Sequence, residues 1–72
     1  MQLFTLSITD LTTFESFPRQ EWAEKEDLFE IGSRFARAML AANPDFRQRG
    51  MCVAIYDEVG IAVSVIPLDT LQ

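Results

Sequence analysis

The stretch MCVAIYDEVGIAVSVIPL, residues 51–68, places two β-branched apolar runs on either side of Asp57-Glu58-Val59-Gly60. Val, Ile and Tyr fit a pleated, half-buried surface, and a short loop ending in Gly is the signature of a hairpin turn. With Asp57 opposite Ile61, alternation puts Val53, Ile55, Ile61, Val63 and Val65 on one face. Cys52, Ala54, Tyr56, Ala62, Ser64 and Ile66 then fall on the other. A wholly apolar face backed by a smaller, mixed one calls for a helix on one side of the sheet.

The chain upstream supplies that helix. From Glu21 to Ala42, Leu28, Ile31, Phe35, Met39 and Ala42 recur at three- and four-residue spacing, which predicts one apolar helical face. Acids crowd its expected first turns and Arg34 and Arg37 follow, complementing the helix dipole. Glu21–Lys25 and Glu30–Arg34 have the favourable i,i+4 order. Gly32 costs about 1 kcal/mol in a helix interior, a cost that suits a close approach to the sheet. Asn43-Pro44 stops the helix, because proline disfavours the α conformation in the residue before it. At the N-terminus QLFTLSI alternates as a strand, with Phe4, Leu6 and Ile8 on one side. TTFESF, residues 12–17, reads as a second strand ended by Pro18. The expected fold is one α+β domain over residues 1–72, in the order β-β-α-β-β: a small antiparallel sheet of three to four strands with one long helix on one face.

Composition narrows the chemistry. The 72 residues include eleven acids, six bases and no histidine, for a net charge of −5. That balance argues against direct nucleic-acid binding, which needs a basic surface. Only Cys52 is available as a thiol, so neither a disulfide nor a thiol-based metal site is expected. Nucleophilic catalysis needs a base beside Ser, Cys or Thr, usually histidine, and Cys52 sits inside a strand as a packing residue. Asp57 and Glu58 occupy a turn, where acids bond nearby backbone. Phe46 to Gly50, FRQRG, is the one basic spot and reads as an exposed loop. An enzymatic reading would require Asp57, Glu58 and Arg47 to converge around a cofactor. The expectation is no enzyme, no catalytic residue, no cofactor and no metal. No segment reads as a signal peptide or membrane span, which predicts a cytoplasmic protein with no membrane partner.

A core this small is marginally stable, and association is a common remedy. On the expected helix, Trp22, Phe29, Ala36 and Leu40 form a second stripe away from the core face. Large aromatics dominate protein interfaces, so Trp22, Phe29 and Leu40 are candidate interface residues. Tyr56 and Ile66, on the back of the sheet, complete the set. The functional expectation is a homodimeric protein-interaction module. The alternative is a small acidic inhibitor that covers a basic protein surface on a nucleic-acid enzyme or defence complex, in the manner of phage anti-defence proteins.

The segment AIYDEVGIAVSVIPLDTL, with FARAMLAAN before it, resembles small uncharacterised bacterial domains common in rhizobia and their relatives. These begin with an aromatic-rich strand, carry one alanine-rich helix and end in a strand, an acidic-Gly turn, an apolar strand and Pro plus an apolar residue. The resemblance implies the same β-β-α-β-β fold; the function of these domains is unknown, so it assigns neither an activity nor a site. The segment FESFPRQEWAEKEDLF is longer and more acidic than that pattern.

Overall fold

In the computed structural model, backbone is described for residues 1–12 and 15–70, and side chains for these except 15–17, 47–49 and 70. The elements are β1 (Gln2–Thr9), β2 (Glu15–Ala23), α1 (Leu28–Ala42), β3 (Cys52–Tyr56) and β4 (Ala62–Pro67), with short 3₁₀ turns at Lys25–Asp27, Pro44–Arg49 and Leu68–Thr70. The strands form one antiparallel four-stranded sheet in the order β2-β1-β3-β4. This is the expected β-β-α-β-β architecture, with the helix connecting β2 to β3.

Two boundaries differ from expectation. The second strand does not stop at Pro18 but runs on to Ala23, so Glu21 and Trp22 belong to β2 and the helix starts at Leu28. Proline is tolerated because β2 is an edge strand, and because β2 carries an extra residue between the pairs Leu6↔Arg19 and Ile8↔Ser16. The Glu21–Lys25 helix pair therefore does not exist, whereas Glu30 and Arg34 do pair at 3.1 Å. The helix ends before Asn43, whose backbone N–H and side-chain amide both donate to the Met39 carbonyl.

The hairpin begins in the expected register and then leaves it. The Asp57 N–H donates to the Ile61 carbonyl, Gly60 has φ +92°, and Tyr56 pairs with Ala62. Ile55 then pairs with Ser64, so Val63 is an extra residue in β4. Beyond this bulge every β4 side chain changes face. Ile66 and Leu68 turn into the core, at 4% and 0% exposure, while Val65 faces solvent at 43%; Ile61, ahead of the bulge at the hairpin tip, is 60% exposed. Val63 packs partly against the core. Burial favours this outcome, because Ile66 and Leu68 each bring one more methylene than a valine, worth about 0.8 kcal/mol apiece.

Phe4, Leu6 and Ile8 of β1, Val53 and Ile55 of β3 and Ile66 of β4 thus share the face under the helix. Leu28, Phe35 and Ala36 close on them from above, with Phe46, Met51 and Leu68 at the margin. Gly32 sets the spacing. A Cβ placed there would stand 2.5 Å from Ile66 Cδ1 and 3.0 Å from Ile55 Cδ1, so any larger residue would require the end of the Ile66 side chain to move.

Candidate interaction surface

Antiparallel partners share a face, so the ladders assign every strand residue to the helix side or the back. The back of the sheet holds Leu3, Thr5, Ser7 and Thr9 of β1, Gln20 and Trp22 of β2, Cys52, Ala54 and Tyr56 of β3, and Ala62, Val65 and Pro67 of β4. None of these residues is charged, in a chain carrying seventeen charged side chains; one further position of this parity, Glu15 opposite Thr9, has its side chain outside those described. Ser7, Thr9, Cys52 and Ala54 are buried. The accessible part runs from Trp22 and Leu3 across Thr5 and Tyr56 to Ala62, Val65 and Pro67, and Trp22 is 61% exposed.

The expected interface residues therefore divide. Trp22 and Tyr56 meet on the back face, Trp22 from β2 rather than from the helix. Ile66 does not reach that face, because the bulge at Val63 sends it into the core against Gly32. The second helical stripe does not form. Trp22 lies outside the helix, Ala36 is fully buried and Leu40 packs partly against the core. Phe29 remains exposed at 69%, but on the helix side, across the sheet from Trp22. Leu3 and Val65 are the additions. Both were visible as apolar residues, but their exposure follows from β1 pairing with β2 and from the bulge.

The polar candidates are structural. Asp57 Oδ1 accepts from the Val59 N–H at 3.0 Å and the Ile61 N–H at 2.9 Å, so its carboxylate builds the turn. Glu58 is exposed beside it. Cys52 is buried, its thiol donating to the Thr9 carbonyl at 3.4 Å; burial, and then the charge of Asp10, raise its pKa. Phe46 is buried, and the side chains of Arg47 and Arg49 lie outside those described. Among the described residues no group of three or more His, Cys, Asp or Glu is placed to hold a metal ion, and no helix is long and apolar enough to cross a membrane.

The sheet edges are poorly suited to strand addition. β2 carries Pro18 and a bulge, and β4 carries Pro67 and the Val63 bulge. Each device interrupts the row of free N–H and C=O groups that a further strand would need. The broad back face is what remains. No protein-family model, curated protein or solved structure matches the chain.

Proposed function

We propose that the protein is a non-enzymatic interaction module that docks through the back face of its sheet, and that its partner is a second copy of the chain. The observation that carries this reading is Trp22, an exposed tryptophan on the back face with uncharged Leu3 and Gln20 as its neighbours there. A large, rigid aromatic with apolar neighbours is the usual energetic centre of a protein contact.

Charge favours a second copy. Two chains of net charge −5 repel, and a face whose described side chains are uncharged is where that repulsion is least. The blunted edges direct the pair to stack face to face, as in a β-sandwich. A stable pair hides about 800 Å² per partner, about a sixth of the 4633 Å² that the chain exposes.

Sedimentation equilibrium tests this. The expected result is a dimer at tens of micromolar that Trp22→Ala converts to monomer and that added salt does not weaken. A strict monomer at that concentration, unchanged by Trp22→Ala, rejects the proposal.

A further inference from the structure

The helix is not centred over the sheet. Gly32 draws it onto Ile55 and Ile66, in β3 and β4, so on the helix side the edge strand β2 is left partly open. Between α1 and β2 lies a groove of about 190 Å³. Leu6 forms its floor, Ile31, Arg34 and Phe35 its helix wall, and Arg19 and Glu21 its strand wall. Positions 31, 34 and 35 share one flank of a helix.

Two features set this groove apart from an ordinary sheet margin. Arg19 and Arg34 are two of the four basic residues whose side chains are described, and the lining holds one acid against them. With their partners Glu21 and Glu30 these arginines make a balanced cluster in a chain of net charge −5, and it is the number of N–H donors there that is in excess. Each arginine also has donors to spare. Arg19 Nε meets Glu21 Oε1 at 3.2 Å, and Arg34 Nη2 meets Glu30 Oε1 at 3.1 Å. Each pair engages one nitrogen of a guanidinium that offers five N–H donors. Below them Ile31 and Phe35 present apolar surface beside Leu6.

We propose that this groove binds a small amphipathic monoanion, a carboxylate with a short apolar body. The carboxylate lies on Arg34 and Arg19, and the body lies along Ile31 and Phe35. Size limits the ligand, since the volume equals that of about six waters and falls below the ~300 Å³ at which drug-sized pockets begin. Glu21 limits its charge, because a carboxylate in the wall opposes a dianion more than a monoanion.

Amide chemical-shift titration of the isotope-labelled protein tests the site, with hexanoate, acetate and 1-hexanol as probes. Hexanoate should shift the amides of 19–21 and 31–35 saturably, with a dissociation constant on the order of 1 mM. Acetate lacks the body and hexanol the charge, so each should bind at least about fivefold more weakly. Arg34→Gln, an exposed change, should weaken hexanoate about fivefold or more, and Glu21→Gln should tighten it. Equal binding of hexanol, an unsaturable response, or indifference to Arg34→Gln overturns the proposal. Trp22→Ala, on the other side of the sheet, should leave the titration unchanged, so this site and the dimer stand or fall separately.

Discussion

One carboxylate oxygen of Asp57 closes the hairpin, the turn role expected of an acid at that position. With two backbone N–H groups on one carboxylate oxygen, Asp57→Ala should lower stability by about 1–2 kcal/mol. Asp57→Asn keeps an acceptor and should recover most of that loss in urea unfolding. Cys52 behaves differently because its environment disfavours charge. Burial, with Asp10 adding to it, raises the folded pKa above the unfolded value. The stability it contributes is fully present below the unfolded thiol pKa of about 8.5 and is lost as pH rises through the higher folded value. A thiol-reactive dye should accordingly label Cys52 only as fast as the protein unfolds. The urea midpoint should fall with pH above about 8.5, and less so in Cys52→Ala. Labelling faster than unfolding, or a flat midpoint, contradicts this account.

At the level of elements, the contact between α1 and β4 turns on one missing methyl. Gly32→Ala gains about 1 kcal/mol of helix propensity but adds a Cβ where Ile66 and Ile55 already stand, and such overpacking costs about 1–3 kcal/mol. The crowding should win, giving a net loss of about 1 kcal/mol. In an Ile66→Val background the nearer Cδ1 is absent, so the same change should be neutral or stabilising. A double-mutant cycle by chemical unfolding reads the coupling, and strict additivity would refute the close approach. The same glycine explains why the helix was only half legible. Periodicity weighs large apolar side chains, so it centred the core face on Ile31 and Phe35. Gly32 and Ala36 mark the closest approach, yet they carry little hydropathy. The helix start was misplaced for another reason. Arg19-Gln20-Glu21-Trp22-Ala23 holds good helix formers, and pairing with β1, a tertiary contact, overrides their propensity.

For the whole molecule, the alternation in β1, the hairpin around Asp57–Gly60 and the helical periodicity were enough to give the fold class and a sheet of three to four strands, with the second strand's extent left to pairing with β1. They could not give the docking surface, which depends on which parity of β4 faces the helix. Trp22 and Tyr56 were legible as interface candidates because they are large aromatics, though Trp22 was assigned to the wrong element. As the only tryptophan, Trp22 also reports its own environment. Its emission should move to shorter wavelength as concentration rises through the dimerisation range, and Val65→Asp on the same face should abolish that shift. An emission maximum independent of concentration would leave Trp22 in water and the face without a second copy.

The bulge at Val63 has a wider meaning. From Ile61 to Leu68, β4 carries large apolar residues at both odd and even positions, so the strand holds two competing spellings of a core. The inserted residue selects one, and Val65 belongs to the discarded spelling, displayed on the back of the sheet. The redundancy that makes this strand ambiguous to read also leaves apolar surface outside the core, and the proposed docking face draws on that surplus at Val65.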